Sequence, residues 1–128
     1  MPLDIIELEE ERWQWSSAIF NEATPEGSLS KCKGEIKEIE FNLFNGIRDP
    51  VEYADAIMCL FDAARREGIL PEEILRAYAW KTQLNKNRTW IKHADNSYSH
   101  VKPLTPETCF DASRCVSLAA AFWYSFWL

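Results

Sequence analysis

Glu35-Ile36-Lys37-Glu38-Ile39-Glu40-Phe41-Asn42-Leu43-Phe44-Asn45-Gly46-Ile47-Arg48-Asp49-Pro50-Val51-Glu52-Tyr53-Ala54-Asp55 is the stretch around which the chain is organised. It carries two acidic pairs, Glu35/Glu38 and Glu52/Asp55, each with i, i+3 spacing. Three residues along a helix are a rotation of about 300°, so each pair projects from one face. The break between them, Asn45 to Pro50, is short enough to fold two helices antiparallel, with their inner faces meeting. Four carboxyl groups then converge. Close anions repel by roughly 4 kcal/mol per pair at an effective dielectric of 20, so the cluster needs a cation. An all-oxygen ligand set suits a hard ion, Mg²⁺ or Mn²⁺.

Working outward, Asn45-Gly46 ends the first of these helices with residues that tolerate a left-handed C-terminal position. Asp49-Pro50 opens the next, as N-cap and first helical residue. Ser28 reads as the N-cap of the helix Leu29 to Phe44, with an apolar stripe of Ile36, Ile39, Leu43 and Phe44. The helix from Pro50 stops at Gly68. It is apolar nearly all round between Ala54 and Ala64, broken only by Asp55 and Asp62. Such a helix is expected to be buried, and a buried carboxylate needs a partner. For Asp62 that partner is expected to be an Arg or Lys from a neighbouring helix.

An earlier helix spans Asp4 to about Ala23, with Ile5, Leu8, Trp15 and Ile19 on its apolar side and Glu9, Glu10 and Glu11 facing water. A later one opens at Leu70-Pro71 and fades after Trp90, with Lys81, Asn85 and Arg88 along one face. Ile91 to Lys102 reads as a loop. Thr105-Pro106 signals a last helix with an aromatic end, Phe122 to Trp127, suited to packing or subunit contact. The fold class is therefore all-α, an antiparallel four-helix bundle with an extra C-terminal helix. One core is expected over residues 1–92, followed by a loop and helix over 93–128.

At 128 residues and net charge -6, the chain is one domain by size and lacks the basic face of a nucleic-acid binder. Cys32, Cys59, Cys109 and Cys115 show no metal-ligand spacing with His93 or His100 and read as free thiols. The N-terminus has no signal-peptide character, and the apolar run from Val116 to Leu128 is too short to span a bilayer. A cytoplasmic protein is expected.

Each feature also has a plainer reading. Glu52 at the third position of a helix capped by Asp49 fits a capping box. Glu35 and Glu38 beside Lys37 fit a solvated face. Lys81, Asn85 and Arg88 fit a wet surface or a phosphate-binding face. Trp13, Trp15 and Phe20 fit core or interface packing as well as base stacking. A di-iron bundle requires Glu-x-x-His, and His is missing from both acidic pairs.

Glu-x-x-Glu, a gap, then Glu-x-x-Asp on consecutive helices resembles the MazG-like all-α nucleoside triphosphate pyrophosphohydrolases. Ser28, Leu29 and Lys31 before Glu35, the run Glu52-Tyr53-Ala54-Asp55-Ala56-Ile57, and Lys81, Asn85, Arg88-Thr89-Trp90 strengthen the likeness. Trp15, Ser16 and Phe20 resemble the phage and bacterial dATP/dGTP diphosphohydrolases. The resemblance covers about residues 10 to 92. It implies that Glu35, Glu38, Glu52 and Asp55 hold two or three Mg²⁺ or Mn²⁺ ions, and that the α–β bond of dATP or dGTP is hydrolysed to monophosphate and pyrophosphate. By the same resemblance Glu38, Lys81 and Arg88 act in catalysis. Substrate is contacted by Lys81, Asn85, Arg88, Trp15, Ser16, Phe20, Lys31 and Trp90. A homodimer or homotetramer is implied, in the host cytoplasm if the gene is a phage's. The alternatives are a dCTP or dUTP pyrophosphatase, or a helical interaction module without turnover.

Overall fold

The computed structural model describes residues 3–102. The expected C-terminal helix, with Cys109 and Cys115, lies outside the described residues. Among the described residues there are four helices: α1 (Ile5–Ile19), α2 (Pro25–Phe44), α3 (Pro50–Arg66) and α4 (Pro71–Lys86). They are followed by a two-stranded antiparallel hairpin, β1 (Trp90–Lys92) and β2 (Tyr98–His100), in the register Trp90 to His100. That hairpin replaces the loop expected over Ile91 to Lys102. It turns through Asn96, whose φ of 69° is one that Asn tolerates better than most residues. The chain divides into two compact units, one up to Glu72 and one from Glu73 onward.

The caps explain the helix ends. Asp49 accepts from the Val51 amide at 3.0 Å, with Pro50 in the first turn of α3. Gly46 (φ 68°) and Gly68 (φ 91°) take the left-handed turns after α2 and α3. The Ile47 amide reaches back to the Asn42 carbonyl at 2.8 Å and the Ile69 amide to Ala64 at 2.9 Å, which satisfies carbonyls the helices leave open. The start of α2 differs from the expected Ser28 cap. Thr24 is the cap, its hydroxyl accepting from the Gly27 amide, and Pro25 opens the helix. Pro fixes the helical φ one turn earlier, and Ser28 is thereby moved into the helix with its hydroxyl free for a tertiary bond. On the other side of this break α1 ends at Ile19, short of Ala23.

In the first unit α2 and α3 run antiparallel. Ser28 meets Asp62, Cys32 meets the Ala56 carbonyl, and Glu35 meets Glu52 and Asp55. The line α2 turns inward is Ser28, Cys32, Glu35, Ile39 and Asn42, all buried or half-buried. The expected stripe is mostly outside instead: Ile36, Leu43 and Phe44 are exposed, Phe44 by 91%. On α3 the inward line is Glu52, Asp55, Cys59, Asp62 and Arg66, while Ile57, Met58 and Leu60 are about half exposed. The all-round burial expected of α3 is thus not met within one chain. Both helices turn polar side chains toward each other, and that seam carries ionic groups at both ends, around Asp62 and around Glu35, rather than a greasy core.

The largest compensated group centres on Asp62, which joins three helices. Arg12 of α1 donates to it at 2.9 Å, Ser16 of α1 at 3.2 Å, Ser28 of α2 at 2.5 Å and Arg66 one turn along α3 at 2.7 Å. Arg12 is the cationic partner expected for Asp62. Glu9 extends the network. It is buried rather than solvated, because Arg12 and Arg65 both bind its carboxylate. The Trp13 ring lies 5.2 Å under each of the Arg65 and Arg66 guanidinium groups, a stacking that Arg favours.

Burial opposes charge on Asp62, yet the bonds from Arg66, Ser28 and Arg12 outweigh it and hold its carboxyl down to about 2. Its ordinary value is 3.8, so the stabilisation is complete above about pH 4 and is lost as pH falls toward 2. Wild-type thermal midpoints should therefore drop steeply between pH 4 and pH 2, and Asp62→Asn should flatten that drop. Asp62→Ala should cost about 3 kcal/mol in denaturant unfolding, because it removes the carboxylate that pairs with Arg66 and one of the two that pair with Arg12.

Candidate active site

One carboxylate oxygen from each of Glu35, Glu52 and Asp55 lies within 4.8 Å of the others. Glu35 comes from the middle of α2. Glu52 and Asp55 come from the first two turns of α3, placed opposite by the Gly46 turn and the Asp49 cap. Glu38, one turn beyond Glu35, abuts both Glu52 and Glu35. The four acidic residues singled out in the sequence are therefore neighbours in space.

The charges are not evenly tolerated. Glu52 is pushed up to about 7, first by its contact with Glu38, then by burial and by Glu35. Carboxylates in one another's field disfavour carrying their full set of charges. Glu35 moves the other way. The Lys31 ammonium one turn earlier donates to its Oε1 at 2.7 Å and holds its carboxyl below the ordinary range, against the effect of burial.

The residues fit a divalent ion. Oε2 of Glu35 and Oε2 of Glu52 are both buried and have no hydrogen-bond partner. A buried acceptor left unpaired is costly, and two of them beside a third carboxylate are what a hard, oxygen-seeking cation satisfies. The ligand set lacks sulfur and imidazole, which favours Mg²⁺ or Mn²⁺ over softer metals.

Beside the carboxylates a cleft of about 720 Å³ opens between the three helices of the first unit. Asp55 and Lys31 stand at its acidic end. Trp15 and Phe20 form an aromatic wall, with ring centroids 5.5 Å apart and planes at 89°. Both rings are about half exposed, so their faces are available to a planar ligand. Ser16, expected to touch substrate, lines the cleft but is nearly covered. Its hydroxyl is engaged by Asp62 and Arg66. The floor formed by Arg12, Asp62 and Arg66 was not anticipated as part of the site. The signal was present as two i, i+4 pairs, Arg12/Ser16 and Asp62/Arg66, on facing helices.

Lys81, Asn85, Arg88 and Trp90 belong to the second unit. Lys81, Asn85 and Arg88 are half-buried along one line, although α4 itself ends at Lys86. Arg88 donates to the Asn85 side-chain oxygen at 2.9 Å, and the Trp90 indole donates to the Asn85 carbonyl at 3.0 Å. These bonds fold the residues after α4 back onto its last turn. The Lys81 ammonium lies 5.6 Å from the Trp80 ring centre.

A sequence model described as dATP/dGTP pyrophosphohydrolase matches residues 8–106. The dATP/dGTP diphosphohydrolase of Cyanophage S-2L is 28% identical over 101 residues, covering 79% of this chain and 91% of its own length. The Eaa protein of Salmonella phage P22 is 41% identical over 66 residues. That match takes in 48% of this chain and only 21% of the P22 protein, so the chain spans about a fifth of its length. Among solved structures, a MazG-like pyrophosphohydrolase of Cyanophage S-2L, bound to dGDP and three catalytic Mn²⁺ ions per active site, matches with a TM-score of 0.65 and 25% identity. The match covers 79% of this chain and all of that one.

Saturating Mn²⁺ should raise the thermal midpoint of the wild-type chain. At a hundredfold excess over the dissociation constant, linkage gives about 2.7 kcal/mol. Asp55→Ala should lose most of that shift in differential scanning fluorimetry.

Proposed function

The chain belongs to the dATP/dGTP pyrophosphohydrolase family, and from that premise we propose that it hydrolyses dATP or dGTP to the monophosphate and pyrophosphate with Mg²⁺ or Mn²⁺. The observation that supports this most strongly is the convergence of Glu35, Glu52 and Asp55, with two buried carboxylate oxygens left unpartnered.

Glu35, Glu38, Glu52 and Asp55 would hold the ions. Divalent ions held there would supply charge neutralisation for the triphosphate and would acidify a water. Glu38, on the exposed rim of the cluster, takes the proton of that water at a carboxylate oxygen as water adds to the α-phosphorus. Lys81 and Arg88 bind β- and γ-phosphate oxygens, so that the charge appearing on departing pyrophosphate is met by fixed cations. Asn85 holds Arg88 in place and is in turn a contact for phosphate or sugar. Trp15 and Phe20 take the base, and their half-exposed rings suit a planar purine. Trp90 is a further stacking candidate. Among the described residues no helix is long and apolar enough to cross a membrane. The proposed setting is the host cytoplasm, with the chain as a homodimer or homotetramer.

The direct test is a panel of all common deoxynucleoside and nucleoside triphosphates with Mn²⁺, products separated by chromatography. Purine deoxynucleotides should yield monophosphate and pyrophosphate in equal amounts. Release of single phosphates, or turnover of dCTP and dUTP alone, would contradict the proposal. Glu38→Gln should lower kcat by about 10² to 10⁴ with an unchanged helical circular dichroism spectrum. Lys81→Ala should weaken triphosphate binding more than monophosphate binding in competition assays; equal losses would remove Lys81 from the outer phosphates.

A further inference from the structure

Lys31 has two environments at once. Its ammonium is bonded to Glu35 Oε1 at 2.7 Å, and the residue lines the cleft that holds Trp15, Phe20 and Asp55. Its side chain is 68% accessible to solvent, whereas that of Glu35 is 10% accessible. The lysine is therefore the solvated partner, on a flexible four-carbon stem, and the carboxylate the enclosed one. We propose that Lys31 is a tethered stand-in cation, which occupies Glu35 before the divalent ions arrive and, once displaced by them, turns into the cleft to bind the phosphates of the nucleotide. This rests on the function proposed above and adds an order to it, metal before nucleotide.

The physical grounds are three. The lysine half of this i, i+4 pair is exposed to water, which competes for its ammonium, so a divalent ion bonded to the same oxygen replaces it. A cation beside an incoming divalent ion is repelled by it, which favours the departure of the ammonium from Glu35. A released ammonium anchored one helical turn from Glu35, on the cleft wall, carries a compact charge with three donors on a flexible stem, a good match to phosphate oxygens. The pairing also gives one oxygen of the buried Glu35 carboxylate a partner within the chain.

The inference makes opposite predictions for one substitution. Lys31→Met, titrated with Mn²⁺ alone and followed by the electron paramagnetic resonance signal of the free ion, should bind about threefold more tightly than wild type, because a competing charge is gone. With Mn²⁺ saturating, the same variant should bind inorganic tripolyphosphate about tenfold more weakly by calorimetry, the loss of one charge-assisted contact. Lys31→Arg should restore both values toward wild type. Unchanged or weaker Mn²⁺ binding in Lys31→Met overturns the competition for Glu35. Unchanged tripolyphosphate binding overturns the handover. A wild-type chain that binds no Mn²⁺ at all defeats the proposed function and this inference together, and is distinguished from the other outcomes by needing no variant.

Discussion

Mutual repulsion among Glu35, Glu38, Glu52 and Asp55 is the constraint on which the rest of the first unit depends. Three of these carboxylates have oxygens within 4.8 Å of one another, and the chain meets that cost by two internal means. Glu35 borrows the Lys31 ammonium, and Glu52 retains a proton up to about pH 7. Both means are temporary by nature. An exposed lysine is easily displaced, and a proton on a carboxylate gives way to a divalent ion that binds the charged form. Two oxygens nonetheless remain buried and unpaired. A seam arranged in this way offers a divalent ion oxygens that the chain itself leaves unpaired.

The second ionic cluster differs because its carboxylate charge is matched by cations, although Nη2 of Arg12 and Nε of Arg65 are buried without a hydrogen-bond partner. Asp62 is met by two guanidinium groups and two hydroxyls, and its carboxyl stays charged down to about 2. By tying α1, α2 and α3 together it fixes the floor of the cleft. The Trp15 and Phe20 wall then stands at a set distance from the acidic end. The contrast between the two clusters divides the seam by role. Where carboxylates are matched by guanidinium groups the network is scaffold, and where carboxylate oxygens outnumber the cations it is a place for ligands.

Much of this arrangement was legible from residue order. The two i, i+3 acidic pairs, the Asn45-Gly46 stop and the Asp49-Pro50 start sufficed to place four carboxylates together, because each is a local rule acting over a few residues. The errors arose where tertiary partners decide. Glu9 reads as a solvated residue in a run of three glutamates, and only Arg12 and Arg65 from two different helices make its burial tolerable. The stripe Ile36, Leu43 and Phe44 reads as core because hydrophobicity ordinarily marks the inner face, whereas in α2 the inner face is Ser28, Cys32, Glu35, Ile39 and Asn42. The hairpin at Trp90 to His100 was missed because three-residue strands leave almost no periodicity to read.

The most direct measurement is a crystal structure of the chain grown with Mn²⁺, with anomalous scattering recorded at the manganese edge. Anomalous peaks should lie among the Glu35, Glu52 and Asp55 oxygens at about 2.2 Å, near the distances hard divalent ions keep from oxygen, and the Lys31 ammonium should have left Glu35. A site free of anomalous signal at saturating Mn²⁺, with Lys31 still bonded to Glu35, would contradict metal as the resolution of this charge cluster.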